Sequence, residues 1–95
     1  TASDFAAVAL GHTTTASGGS SFASGLVTTA SGGASTAMGR FTTASGAYST
    51  AIGGYVSTND QTGAFVYGDA STTTVLNATA FNQFSVRAAG GVRFF

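Results

Sequence analysis

The side chains of this 95-residue chain that could do chemistry are few, and they form no catalytic set. Serine is abundant, but no Gly-x-Ser-x-Gly motif stands in the strand-to-helix context that hydrolases use. His12 is the only histidine, and no cysteine or glutamate is present to complete an ordinary zinc site. Asp4, Asp60 and Asp69 are scattered, which gives little support to a glycosidase-type carboxylate pair. The sequence therefore predicts no enzyme, no cofactor and no metal site.

Aromatic and amide side chains point to binding instead. Phe41 and Tyr55 occupy equivalent places of an internal repeat, with Tyr48 between them, and aromatic faces bind sugar rings. Asn59 and Asp60 interrupt the regular sequence, and breaks in regular scaffolds often carry binding function. We predict a ligand surface from these five residues. The alternatives are packing of the aromatic rings between chains and a simple surface loop at Asn59-Asp60.

Composition excludes several classes of protein. Three Arg balance three Asp and Lys is absent, so nothing attracts nucleic acid or an anionic membrane. Gly, Ser and Thr are poor helix formers, and the lack of proline excludes collagen. The sequence contains no run of 18 apolar residues, so we predict no membrane-spanning helix. Because the chain starts in mid-pattern, we interpret it as a fragment of a longer protein.

A fourteen-residue repeat must position these side chains. Each block begins with serine and carries alanine at its seventh place and glycine at its ninth. The blocks are residues 3–16, 17–30, 31–44 and 45–58. The tripeptide Ala-x-Gly also recurs every seven residues, which predicts one short strand and one tight turn per seven residues. The predicted turn glycines at the ninth place are Gly11, Gly25, Gly39 and Gly53.

Two seven-residue units close one coil, so the repeat predicts an all-β fold, a parallel β-solenoid with 14-residue coils. A coil this short has room inside for alanine and little else, which places the alanine column inside and larger apolar residues outside. An exposed apolar patch of this kind implies a partner surface. Its predicted residues are Val8, Leu10, Phe22, Met38 and Ile52.

Two neighbouring threonine columns leave ice binding open as a minor alternative. They are Thr14, Thr28, Thr42 and Thr15, Thr29, Thr43. The simpler interpretation is a solvated ladder of β-branched residues with good strand propensity.

The pentapeptides Ser-Thr-Ala-Met-Gly (35–39) and Ser-Thr-Ala-Ile-Gly (49–53), interleaved with Thr-Ala-Ser-Gly, resemble the head repeats of trimeric autotransporter adhesins, the YadA-like head. The resemblance covers residues 3–58, with Ser24 and Asp4-Phe5 as departures. It implies a left-handed parallel β-roll, a homotrimer around a shared axis and a place on the bacterial cell surface or a fibre appendage. The implied function is adhesion to a cell-surface or matrix glycan or protein. A structural spacer in a trimeric fibre is the alternative.

Residues 59–95 break the phase of the repeat after a one-residue insertion near Asn59-Asp60. Residues 82–94 resemble segments that close heads of bacterial and phage-like trimeric fibres. Phe84 and Val86 alternate with smaller or polar residues, as in a strand, and join the predicted trimer interface. We therefore predict head repeats over 1–58 and an irregular last coil with a C-terminal β cap or transition segment over 59–95.

Two arginines lie among apolar residues of this second part, Arg87 and Arg93. We expect them to donate hydrogen bonds to carbonyls, or to pair with Asp60 or Asp69 across chains, with receptor contact as the minor alternative. Only a trimer that placed three copies of His12 near its axis could build a histidine metal site, and a turn or surface histidine is the simpler interpretation.

Overall fold

The computed structural model describes residues 1–94, which form one parallel sheet coiled into a β-solenoid. Its strands are β1 (Val8–Ala16), β2 (Phe22–Ala30), β3 (Thr36–Ala44), β4 (Thr50–Ser57), β5 (Phe65–Gly68), β6 (Leu76–Asn77) and β7 (Phe84–Arg87). Their order is β1-β2-β3-β4-β5-β7, and β6 pairs with the end of β4. The predicted all-β solenoid is confirmed.

The register of the first four strands repeats every fourteen residues. Ala9 pairs with Ala23, Ala23 with Ala37, and Ala37 with Ala51. The next pair joins Ala51 to Val66, fifteen residues on, which confirms the predicted one-residue insertion. The 14-residue coil is therefore the structural unit through β4.

Each coil contains one long bent strand, not two short strands with two turns as predicted. The bend lies at a residue in the left-handed region that has no partner in the ladder. These bend residues are Thr13, Val27, Phe41 and Tyr55, with φ of 54–57°. Because pairing resumes after a single residue, the strand rounds a corner without ending. A true turn closes only the other half of the coil, as between Gly32 and Ser35.

The interior of the roll is filled by small side chains, as the sequence predicts. The fully buried alanines of the repeat are Ala16, Ala23, Ala30, Ala37, Ala44 and Ala51. The larger apolar residues lie outside: Val8, Leu10 and Met38 are exposed, while Phe22 and Ile52 are half-buried. The predicted inside–outside assignment is therefore confirmed.

Stacking of the coils explains the glycine at every seventh residue. Gly11, Gly25, Gly39 and Gly53 have the predicted positive φ, from 104° to 121°, but they lie within strands β1 to β4 and not in the predicted turns. A Cβ atom on Gly25 would also lie 2.0 Å from the carbonyl oxygen of Gly39 in the next coil. The intervening glycines have ordinary φ but the same crowding, and a Cβ on Gly32 would lie 2.1 Å from the Gly46 oxygen. Close approach between coils thus requires glycine at both kinds of position.

One of the two threonine columns lies inside the roll. Thr14, Thr28 and Thr42 are buried, whereas the outward column of Thr15, Thr29 and Thr43 is half-buried. The two columns therefore do not form one surface, because adjacent residues of a strand point to opposite faces. The single outward column does not provide the broad flat face on which the ice-binding alternative depended.

The inner threonine column gives a prediction about stability. The buried hydroxyl of Thr42 has no hydrogen-bond partner among the described residues, and Val56 fills the next position of its column. We expect Thr42→Val to raise the free energy of unfolding by about 1 kcal/mol per chain, because an unpaired buried hydroxyl is replaced by a methyl group. Chemical denaturation followed by circular dichroism measures the change.

Thr58→Val is the matched control, and we expect it to lower the free energy of unfolding. The Thr58 Oγ1 atom accepts hydrogen bonds from the N–H groups of Ser45 (3.0 Å) and Gly46 (3.2 Å). In the preceding coil, the carbonyl oxygen of Ala44 accepts the two equivalent hydrogen bonds from backbone N–H groups. A stabilising Thr58→Val, or a destabilising Thr42→Val, would contradict this account of the interior.

Candidate functional site

One outer face of the solenoid carries large apolar side chains along the full stack, and we call it the apolar face. Parallel register aligns two outward columns on it. The first column is Val8, Phe22, Thr36, Thr50, Phe65 and Phe84. The second is Leu10, Ser24, Met38, Ile52, Tyr67 and Val86. All seven residues predicted for the trimer interface therefore lie on this face.

The apolar face is open to solvent in the single chain. Leu10 is 56% exposed and Phe84 62% exposed. Phe65 and Phe84 make an edge-to-face contact with ring centroids 5.3 Å apart, so the face continues through the C-terminal strands. The predicted interface did not include Phe65 and Tyr67, although the one-residue insertion recognised near Asn59 brings both residues into register with the two columns.

A second feature is an aromatic stack along the bends of the coils. The rings of Phe41 and Tyr55 are stacked, with centroids 5.0 Å apart and planes inclined by 18°. The guanidinium carbon of Arg40 lies 5.4 Å from the centroid of the Phe41 ring, a cation–π contact. The fourteen-residue period places both rings at successive bends, directly above one another.

The five residues predicted as a ligand surface lie on two different edges of the roll. Tyr48 lies in a turn, where its N–H donates to the Gly33 carbonyl, and it is 74% exposed. Asp60 lies beside that turn, since its N–H donates to Ser45 Oγ, while Asn59 Nδ2 donates to the Ala78 carbonyl. Seven residues are half a coil, so Tyr48 and Tyr55 are separated. The five residues do not form one continuous surface.

The segment 69–75, between β5 and β6, builds clefts beside the aromatic stack. The first encloses about 440 Å³ and is lined in part by Arg40, Tyr55, Tyr67, Asp69, Thr72 and Thr73; we call it the bend cleft. A second depression of about 350 Å³ shares Tyr55 and Thr73 with it. The repeat contains no signal for these clefts, because segment 69–75 lies outside it.

Arg87 and Asp69 fasten this segment to the roll. Arg87 Nε lies 3.2 Å from Asp69 Oδ1, Nη2 donates to the Gly54 carbonyl at 2.8 Å, and Nη1 donates to the Thr74 carbonyl at 2.7 Å. The other carboxylate oxygen of Asp69 accepts the Ala89 N–H at 2.6 Å. The predictions of carbonyl hydrogen bonds and of pairing with Asp69 are confirmed for Arg87, but the pair forms within one chain and not across chains.

These contacts give Asp69 an acid-sensitive role. The Ala89 N–H and the Ser71 hydroxyl donate to the carboxylate, and together with Arg87 they hold the pKa of Asp69 far below its ordinary value. Folding thus favours the charged form. Its contribution to stability is complete above the unfolded pKa of about 3.9 and is lost as the pH falls below that value towards the folded pKa.

We therefore expect the Ala89 amide to keep its hydrogen-exchange protection from about pH 7 to about pH 4 and to lose it progressively on further acidification. Asp69→Asn should show weaker protection at pH 7 and no comparable acid transition. The Ala37 amide, in the middle of the roll, is an internal control. Equal acid loss at both amides in the parent chain would contradict a local role for Asp69.

Other kinds of site receive no support from the geometry. No group of three or more His, Cys, Asp or Glu side chains within residues 1–94 could hold a metal ion. His12 is exposed, and its Nδ1 atom lies 3.1 Å from Thr13 Oγ1. No helix in the described part of the chain is long and apolar enough to cross a membrane.

Stacked coils of constant length, with alanine inside and glycine at each close approach, define a parallel β-solenoid built from a short repeat. The family model for the YadA head domain repeat matches the chain twice, over residues 2–26 and 30–55, together more than half of its length. The chain therefore belongs to the YadA head repeat family, which confirms the resemblance of its repeats. No curated protein and no solved structure matched the chain.

Proposed function

We propose that this chain is the non-enzymatic head module of a homotrimeric fibre on a bacterial surface, a left-handed β-roll that recognises a cell-surface or matrix ligand. Residues 1–58 form the head repeats, and residues 59–95 form a cap or transition segment. The apolar face is the observation that carries the proposal. Family membership supports the adhesive role.

The apolar face needs a partner because it runs through six strands of the described chain. Burial of apolar surface contributes roughly 25 cal/mol per Å², so a face of this extent favours association strongly. A monomeric soluble protein rarely exposes apolar patches larger than a few hundred Å². Three copies arranged around one axis would bury the face in a closed assembly with no free copy of it.

The assembly is tested by the mass of the purified chain in solution, measured by sedimentation at low micromolar concentration. We expect about 28 kDa, three times the chain mass of 9.3 kDa. A folded monomer of 9.3 kDa would contradict the proposal. A stable dimer would contradict the three-fold arrangement.

A second test separates ligand recognition from the spacer alternative, with which the uniform coils are also compatible. The trimer is screened against immobilised glycans and extracellular-matrix proteins. Saturable binding to any of them supports recognition. Failure to bind any member of the screen, by a trimer of the expected mass, favours the spacer.

A further inference from the structure

We propose that the bend cleft is a binding site for an acidic saccharide, with the carboxylate of the sugar on Arg40 and a sugar ring against Tyr55. This inference rests on the proposed recognition function and specifies where the ligand binds and its chemical class. The bend cleft is also distinct from the turn edge that carries Tyr48, Asn59 and Asp60.

The charge of the cleft comes from Arg40. Asp69 also lines the cleft, but Arg87 neutralises it, and its two oxygens already accept from Arg87, Ser71 and Ala89. Within residues 1–94, no carboxylate lies at ion-pair distance from Arg40, which is exposed. The cleft therefore has a net positive charge of one and is suited to a single carboxylate, because guanidinium pairs with carboxylate in a bidentate geometry.

The rings of the cleft favour a saccharide. Phe41 and Tyr55 stack on each other, so one face of each ring is occupied. A flat apolar group of a ligand can therefore stack only on the opposite face of either ring. The C–H face of a sugar ring is such a surface. Tyr67, Thr72 and Thr73 supply hydroxyl groups within the same cleft. Hydroxyl groups can donate and accept, and so match the hydroxyls of a sugar.

The size of the cleft suits a short oligosaccharide. Its volume of about 440 Å³ lies within the range of roughly 300–1,000 Å³ typical of small-ligand sites. The neighbouring depression of about 350 Å³ shares Tyr55 and Thr73 and provides room for a further sugar unit. One net charge in a neutral chain gives no basis for binding a long polyanion.

The cleft is held in shape before any ligand binds. Arg87 fastens its outer wall by donating to the carbonyls of Gly54 and Thr74, on the roll and on segment 69–75 respectively. A preorganised wall removes much of the ordering cost of binding. Tyr67 belongs to both the cleft and the apolar face, so in a trimer three clefts open beside the chain boundaries. Three sites on one assembly can act together on a multivalent surface.

The test uses the full trimeric chain, with calorimetry against 3′-sialyllactose, trigalacturonic acid and the neutral sugar lactose. We expect saturable binding of at least one acidic probe with one site per chain, and weaker binding of lactose. Arg40→Gln should weaken binding of the acidic probe by about tenfold or more and leave any lactose affinity unchanged. Tyr55→Ala should weaken both, while Tyr48→Ala, an exposed tyrosine on the other edge, should change neither.

Several outcomes would overturn the inference. Unchanged affinity in Arg40→Gln, or equal binding of lactose and the acidic probes, would remove Arg40 from the site. Loss of the trimer in Arg40→Gln would show that another chain occupies the cleft. If the chain binds neutral glycans or matrix proteins but neither acidic probe, the cleft assignment fails while the recognition function stands. If it binds nothing, both fail and the spacer alternative holds.

Discussion

Replacement of Gly32 by alanine is expected to unfold the roll, while the same change at the adjacent Gly33 should leave it intact. A Cβ atom on Gly32 would lie 2.1 Å from the carbonyl oxygen and 2.5 Å from the carbonyl carbon of Gly46. Both atoms belong to the backbone of the next coil, so relief requires separation of the coils. A Cβ on Gly33 meets nothing within 4 Å. Neither glycine has a positive φ, so the comparison isolates the effect of stacking.

We expect Gly32→Ala to lower the free energy of unfolding by more than about 4 kcal/mol, a large part of the stability of a small domain. Gly33→Ala should change it by less than about 1 kcal/mol, and towards higher stability if anything, because alanine restricts the unfolded chain. Thermal unfolding followed by circular dichroism measures both variants. Equal melting temperatures for the two variants would show that the coils do not stack as closely as described.

The second large effect is expected at the apolar face. Met38 lies in the middle of this face and is 37% exposed in the single chain. Met38→Asp would place three carboxylates in the buried interface of a trimer, where desolvation and mutual repulsion oppose assembly. We expect the mass in solution to fall from about 28 kDa to that of the 9.3 kDa chain or of unfolded material.

Tyr48→Asp is the matched control, because it introduces the same charge at an exposed residue on the turn edge. We expect this variant to keep the parent mass. Circular dichroism of the Met38→Asp chain then reports whether the roll persists without its partners. If Met38→Asp sediments as a normal trimer, the chains associate through a different face.

The repeat determined most of the roll. With Ala23 and Ala37 at equivalent places, only small side chains fit between the walls, and strand alternation then places Met38 outside. These features were predictable because one local rule recurs in each coil, so that every coil provides independent support for it.

Details within the coil were less predictable. The bend at Phe41 and Tyr55 uses non-glycine residues with positive φ, which residue type alone does not indicate. Grouping Tyr48 with Tyr55 was wrong because closeness in sequence does not mean closeness on a coil in which half a turn is seven residues.

Only the tertiary structure decided the bend cleft. Its wall depends on Arg87 reaching Gly54, 33 residues earlier in the chain, and on Asp69 reaching Ala89. Each of these contacts occurs only once and involves residues outside the repeat, so the repeat pattern does not predict them. The sequence by itself therefore determined the stacked coils and their exposed apolar columns. The position of the cleft beside the aromatic stack depends on single long-range contacts. The residues that make these contacts could have paired elsewhere, so only the tertiary structure identifies their partners.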